Sequence, residues 1–114
     1  MTKAKIELIF WLLMVVILPT ITGLLWGNSL LLTIILILLS GVYFYFRHTR
    51  EDLYFYFIAL IVGPFGETIA IKLGAWYYAQ PEFFGIPLWL PVLWGLSGIV
   101  LKNLLKSINQ IWTK

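Results

Sequence analysis

The sequence has no cysteine, one histidine and few charged residues. Only 11% of its 114 residues are Asp, Glu, Lys or Arg. Without cysteine, a disulfide framework, a haem attachment motif and a thiolate metal site are all excluded. The single histidine, His48, leaves no ligand cluster, so we predict neither a bound metal nor another cofactor. So low a charge content is also unusual for a soluble domain of this size.

Apolar residues are abundant instead, at 61% of the chain, and 18% of the chain is aromatic. Several apolar runs reach the roughly 20 residues that a bilayer core requires. We therefore predict an all-α fold, an integral membrane four-helix bundle that forms a single domain over residues 1–114. The predicted spans cover about residues 6–26, 30–46, 53–74 and 88–105. The first run is long and lacks an Ala-x-Ala signal, which favours a retained span over a cleaved signal peptide.

Two further segments differ in composition from the predicted spans. Residues 75–87 are rich in aromatic residues and proline, and we expect an aromatic loop that covers the outer end of the bundle. Residues 101–114 alternate apolar and polar side chains at helical spacing, which predicts an amphipathic tail lying at the membrane interface.

Basic residues predict the orientation. Seven of the eight fall on one side of a four-span bundle, namely Lys3, Lys5, Arg47, Arg50, Lys102, Lys106 and Lys114. The positive-inside rule then places both termini in the cytoplasm, with the protein in the cell membrane. Because these residues belong to short loops and tails, the net charge of +3 does not indicate nucleic acid as a partner. His48 is interpreted as a solvated loop histidine.

Glu67 is a carboxylic acid within the third predicted span. An ionisable group at that depth costs roughly 2.5 to 3.5 kcal/mol on insertion scales, so it is expected to have a partner or a task. Small residues share its helix, and small residues allow membrane helices to approach closely. The predicted packing positions on the third and fourth spans are Gly63, Gly66, Ala70, Gly74, Gly95 and Gly98.

Residues near Glu67 and in the outer aromatic segment are predicted to bind a ligand or partner, because aromatic rings there can cover an apolar molecule. They are Glu67, Thr68, Lys72, Trp76, Tyr77, Tyr78, Trp89 and Trp94. Glu67 has three possible roles: acid–base catalysis, proton coupling, or a structural bond to another helix or subunit. One carboxylate without a nucleophile or second base is thin evidence for catalysis, so Glu67 is only a candidate catalytic residue.

Residues 63–95 carry three successive motifs: Gly-Pro-Phe-Gly-Glu, Gly-Ala-Trp-Tyr-Tyr and Gly-Ile-Pro-Leu-Trp-Leu-Pro-Val-Leu-Trp-Gly. Together they resemble an uncharacterised family of small prokaryotic four-span membrane proteins. They are more distantly similar to carotenoid-biosynthesis membrane proteins, the hydratase and lycopene-cyclase-like groups. That resemblance implies that Glu67 is a proton donor to an isoprenoid double bond.

Buried polar residues also join membrane helices, so the leading hypothesis is a protein without its own catalytic centre. We expect an accessory subunit or a lipid- or isoprenoid-binding scaffold of a larger membrane complex. Its expected partners are membrane lipid and other integral membrane subunits or further copies of the chain. The alternatives are a carotenoid-type membrane enzyme that uses Glu67 as proton donor, and a small proton-coupled exporter.

Overall fold

The computed structural model describes residues 2–47 and 49–113, and these residues form four α-helices. The helices are α1 (Lys3–Leu25), α2 (Ser29–Arg47), α3 (Arg50–Lys72) and α4 (Leu90–Trp112). In the described part of the chain, β-structure is limited to one isolated bridge. The predicted all-α, four-helix fold is therefore confirmed. The interpretations of His48 and Lys114 fall outside the described residues.

Polar caps set the starts of two helices. The Thr2 hydroxyl accepts the backbone N–H of Lys5 at 3.2 Å, and α1 begins at Lys3. The Thr49 hydroxyl likewise accepts the backbone N–H of Asp52 at 3.1 Å in α3. Such caps satisfy donors that a helix leaves free in its first turn. Both helices consequently begin three residues earlier than the apolar runs at 6 and 53 suggested.

The third helix also ends earlier than predicted, at Lys72 rather than residue 74. Gly74 adopts a φ of 91°, in the left-handed region that glycine enters without a Cβ clash. The connection from Leu73 to Trp89 is correspondingly longer than the predicted loop 75–87. Pro19 and Pro64 lie inside α1 and α3, and both helices continue through them.

The central helix of the bundle is α4, which packs against each of the other three and most extensively against α3 and α1. Ile99 of α4 is buried in one apolar core with Trp11 of α1 and with Leu32 and Leu36 of α2. The longest dimension of the bundle is 46 Å. A helix of 23 residues, such as α1, measures about 35 Å at 1.5 Å per residue, more than the roughly 30 Å of a hydrocarbon core.

Part of the polar side of α4 faces the other helices. Lys102 and Ser107 are buried, whereas Leu101 and Leu105 are 65% and 61% exposed. Residues 101–112 of the predicted amphipathic tail are thus the second half of α4. Leu101 and Leu105 lie on the outside of this half, where Lys106, Asn109 and Gln110 are exposed as well. The exposure of Leu101 and Leu105 beside a buried Lys102 is the opposite of what is expected for a helix in water, where apolar side chains are removed from the solvent.

Three of the helices, α1, α2 and α3, are long and apolar enough to cross a membrane. The fourth predicted span corresponds to α4, which does not meet the same criteria of length and composition. Its lower mean hydropathy comes partly from Lys102, Asn103 and Lys106. Of these three residues, Lys102 is buried, Asn103 is half-buried and Lys106 is exposed.

Glycines allow α3 and α4 to approach closely. A Cβ added to Gly98 would lie 2.8 Å from the Ala59 Cβ and 2.8 Å from the backbone oxygen of Phe55. A Cβ on Gly95 would lie 2.9 Å from the Tyr56 ring. These glycines of α4 therefore do pack against α3, although they meet residues 55–59 and not the predicted small face from Gly63 to Gly74.

Replacing Gly98 with alanine should destabilise the bundle, because its Cβ would press on the backbone of α3. Overpacking of this kind costs roughly 1 to 3 kcal/mol. The control is Gly41→Ala in α2, where nothing lies within 4 Å of the added Cβ. That change should leave the stability equal or slightly raised. Thermal unfolding followed by circular dichroism in a mild detergent compares the two, and equal melting temperatures would contradict the proposed close approach.

Candidate functional site

Glu67 lies in the last two turns of α3 and accepts hydrogen bonds from two other parts of the chain. The hydroxyl of Tyr78 donates to Oε1. Tyr78 belongs to the connection from Leu73 to Trp89, which we call the outer loop. The indole N–H of Trp94, in α4, donates to Oε2. The carboxyl group thus joins α3, the loop and α4, and each of its oxygens has a partner. We call these three residues the Glu67 cluster.

A missing side chain makes room for one member of the cluster. A Cβ on Gly63 would lie only 2.1 Å from the Trp94 ring, so only glycine at this position lets the indole lie against α3. Gly66 has nothing within 4 Å of an added Cβ, and Gly74 lies beyond the end of the helix. Ala70 is half-buried. Of the predicted small face of α3, Gly63 is therefore the position that contributes to the geometry of this site.

Tyr78 is held above the cluster by the outer loop. Burial and the hydrogen bond to Glu67 raise the pKa of the Tyr78 hydroxyl above its ordinary value, so it remains a protonated donor at neutral pH. Its ring meets the buried Trp89 ring edge to face, with centroids 6.1 Å apart. Such aromatic pairs add to the stability gained by burial.

The loop is fastened to the rest of the protein through Glu82. Its carboxylate accepts the Ser29 hydroxyl, at the start of α2, and the backbone N–H of Leu88 at 2.8 Å. These two hydrogen bonds lower the pKa of Glu82, which therefore stays ionised at neutral pH. Phe84 and Gly85, with φ of 50° and 81°, form the tip of a tight turn beside α3.

An apolar groove of about 620 Å³ runs between α1 and α4 and reaches Glu67. Its walls are mostly aliphatic and aromatic. The α1 wall includes Met14, Val15, Leu18, Pro19, Thr22 and Gly23, and the α4 wall includes Leu90, Leu93, Trp94, Ser97, Val100 and Leu101. Tyr78 and Trp89 close the outer end. We call this space the α1–α4 groove.

A second, smaller groove of about 410 Å³ lies between α3 and α4 and also reaches Glu67 and Trp94. Phe55, Ala59, Gly66 and Trp76 are among the residues that line it. The Glu67–Trp94 pair therefore borders two apolar spaces, and Glu67 is the acidic residue on both linings.

The structure brings together some of the predicted site residues and leaves others apart. Tyr78, Trp89 and Trp94 surround the groove near Glu67, and Trp76 lines the smaller groove. The Thr68 hydroxyl donates to the Pro64 carbonyl at 2.9 Å within α3. Lys72 and Tyr77 are exposed, and Tyr77 is 87% accessible. In residues 2–47 and 49–113, Lys72 forms no ion pair.

A second polar centre, which the sequence interpretation missed, lies at the opposite end of the bundle. Asp52 of α3 accepts Lys102 Nζ at 2.9 Å, the Asn103 amide at 3.2 Å and the Tyr43 hydroxyl at 2.7 Å. Asp52 is only 1% exposed. The available signal was the placement of Asp52 and Lys102 near the same end of their predicted spans. Nearby, Glu7 accepts Arg47 and the Trp11 indole N–H.

The Glu67 cluster offers hydrogen-bond recognition. Among the residues that the structure describes, no three His, Asp or Glu side chains are grouped so that they could hold a metal ion. Each Glu67 oxygen has further lone pairs after accepting its donor, so an additional hydroxyl or N–H could be bound. An apolar molecule with one donor group matches this chemistry.

The chain matches no protein-family model, no curated protein and no solved structure. The resemblance to small four-span membrane proteins and to carotenoid-biosynthesis proteins therefore stays a prediction from residues 63–95.

Removing the Tyr78 hydroxyl should destabilise the protein. In Tyr78→Phe, one Glu67 oxygen loses its donor in a half-buried site, and a buried acceptor without a partner costs about 1 to 3 kcal/mol. Tyr77→Phe is the matched control. Tyr77 is the exposed neighbour of Tyr78, so loss of its hydroxyl should change the free energy of unfolding by less than about 0.5 kcal/mol. Unfolding in a graded denaturant series measures both variants in one detergent. A Tyr78→Phe midpoint identical to that of Tyr77→Phe would contradict the assigned hydrogen bond.

Proposed function

We propose that this chain is a multi-pass protein of the cell membrane that binds a lipid or isoprenoid alcohol in the α1–α4 groove and acts as a scaffold or accessory subunit. All four helices cross the bilayer in this proposal. For α4, the support is its outward apolar side, formed by residues such as Leu101 and Leu105, together with the burial of Lys102. A polar side chain that faces the bundle avoids hydrocarbon.

Both termini are proposed to be cytoplasmic. Four basic side chains line one cavity at the same end of the bundle: Lys3, Arg47, Lys102 and Lys106. Lys5 and Arg50 belong to the helix ends beside it. Lys72, at the other end of α3, is the basic residue on the opposite side. Basic residues of short loops and tails collect on the cytoplasmic side, which supports this orientation.

The observation that carries the ligand proposal is one carboxyl group reached from an otherwise apolar groove of about 620 Å³. Ligand sites commonly have volumes of roughly 300 to 1,000 Å³ and combine apolar walls with a few polar groups. An isoprenoid or lipid chain would lie along α1 and α4. A hydroxyl at its end would donate to Glu67, whose oxygens retain lone pairs.

The same hydrogen bonds favour a binding role over catalysis. Both oxygens of Glu67 accept hydrogen bonds from protein donors, Tyr78 and Trp94, whereas catalysis on an alkene would require the carboxyl group to donate. This arrangement suits an acceptor that recognises a donor group. As a scaffold, the protein would hold the amphiphile for a larger membrane complex, and the smaller groove beside Gly66 leaves space for a neighbouring subunit.

Binding of geranylgeraniol, a C20 isoprenoid alcohol, tests the proposal. The purified protein in mild detergent should bind it, as followed by native mass spectrometry and tryptophan fluorescence. Val15→Trp should weaken binding at least about tenfold, because the indole would occupy the groove that Val15 lines. The geranylgeranyl methyl ether, which cannot donate a hydrogen bond, should bind wild type about tenfold more weakly than the alcohol.

The matched control is Val16→Trp, because Val16 is an exposed neighbour on α1 outside the groove lining. It should bind as wild type does. Equal binding by Val15→Trp and Val16→Trp, or equal binding of alcohol and ether, would contradict the assigned site. Conversion of the alcohol to a product would instead support the carotenoid-type enzyme. Proton release on substrate binding by a homodimer, lost in Glu67→Gln, would support the exporter.

A further inference from the structure

A polar cavity of about 490 Å³ lies at the end of the bundle opposite the outer loop. It is formed where the start of α1, the end of α2, the start of α3 and the end of α4 meet. Its charged lining residues are Lys3, Glu7, Arg47, Asp52, Lys102 and Lys106. We call it the basic cavity. It is separate from the α1–α4 groove, because the two linings share no residue.

Positive charge exceeds negative charge in this lining. It contains four basic side chains and two carboxylates, which leaves a formal excess of two positive charges. The described residues form two ion pairs, Arg47 with Glu7 and Lys102 with Asp52. The two carboxylates are therefore already engaged. Lys3 and Lys106, in contrast, have no ion-pair partner within the described residues.

The two carboxylates also have uncharged partners, so they are well compensated. Asp52 accepts Tyr43 and Asn103 in addition to Lys102, and Glu7 accepts the Trp11 indole at 3.1 Å. An ammonium group has three N–H donors, and Lys102 Nζ uses one of them on Asp52. Donors from Lys3, Lys102 and Lys106 consequently remain for an anion with several acceptor oxygens.

We propose that the basic cavity binds a phosphate group, supplied by the headgroup of an anionic membrane lipid. The oxygens of one phosphate group can accept several charge-assisted hydrogen bonds at once. This matches a cavity whose lysine ammonium groups have N–H donors left over. Ile108 and Trp112 are exposed apolar side chains on the same turns of α4 as the cavity, where acyl chains would lie. Basic pockets between membrane helices on the cytoplasmic side are known to suit such headgroups.

Only the lipid source rests on the proposed membrane insertion, whereas recognition of phosphate does not. The test uses the full chain in mild detergent and native mass spectrometry with three probes. They are dioctanoyl phosphatidylglycerol, dioctanoylglycerol without the phosphate, and inorganic phosphate. The first should bind wild type, and the double variant Lys3→Gln/Lys106→Gln should bind it about tenfold or more weakly.

A matched double variant removes the same charge elsewhere. Lys5→Gln/Lys72→Gln changes two lysines that do not line the cavity, and its affinity for phosphatidylglycerol should stay within about twofold of wild type. Val15→Trp should also bind phosphatidylglycerol as wild type does. Loss of binding in the α1–α4 groove can then be distinguished from loss of binding in the basic cavity. Circular dichroism confirms that each variant keeps its helical content.

Equal affinity of wild type and Lys3→Gln/Lys106→Gln for phosphatidylglycerol would overturn the proposal. Equal loss in both double variants would also overturn it, because the effect would then come from net charge alone. Binding of dioctanoylglycerol with the same dependence on Lys3 and Lys106 would overturn the role of phosphate. If inorganic phosphate bound as tightly as the lipid, the assignment to a headgroup would be wrong and the site would serve free phosphate.

Discussion

The structure depends on one constraint, the need of each buried polar group for a partner inside the bundle. In the described residues, no buried side-chain nitrogen or oxygen lacks a hydrogen-bond partner. Two carboxylates of α3 account for much of this pairing. Asp52 bonds to Lys102 and Asn103, and Glu67 bonds to Trp94. The carboxylates are 15 residues apart, about 22 Å along a helix, so α3 is joined to α4 near both of its ends.

These bonds hold the central helix in one rotational setting. If α4 turned about its axis, Lys102 would leave Asp52, and an unpaired charge buried in a protein costs several kcal/mol. The same rotation would carry Gly95 and Gly98 away from α3. Other residues of α4 would then face α3, where the helices lie too close for a larger side chain. Polar pairing and glycine packing therefore specify the same face of α4. The α1–α4 groove and the basic cavity lie along the side that this setting turns toward α1.

The sequence predicted the helical class and the importance of Glu67 because both depend on local composition. Four apolar runs indicate four helices, and a carboxyl group within one of them is conspicuous. Tyr78 and Trp94 were among the predicted partners, since aromatic residues cluster around the outer end. The pairing of each with one Glu67 oxygen required the fold, because these residues are 11 and 27 positions away along the chain.

Other features could not be derived from pattern. The spacing of residues 101–114 revealed a polar side and an apolar side, but periodicity does not say which side faces the protein. The sequence interpretation gave Asp52 no role, and it placed Lys102 in an amphipathic tail. Their contact spans 50 positions of the chain. The α1 wall of the groove was also missed. Val15 and Leu18 are aliphatic like the rest of their apolar run, so residue type does not distinguish a groove-lining side chain from an outward-facing one.

The central proposal is that α4 crosses the membrane with Lys102 turned inward and with Leu101 and Leu105 toward lipid. The absence of native cysteine allows a single spin label to be placed at Leu105 and, separately, at Gln80 in the exposed loop. Collision rates with oxygen and with a water-soluble nickel complex can then be measured in liposomes. The account predicts that the Leu105 label meets oxygen readily and the nickel complex rarely, with the reverse at Gln80. A Leu105 label as accessible to the nickel complex as the Gln80 label would contradict it.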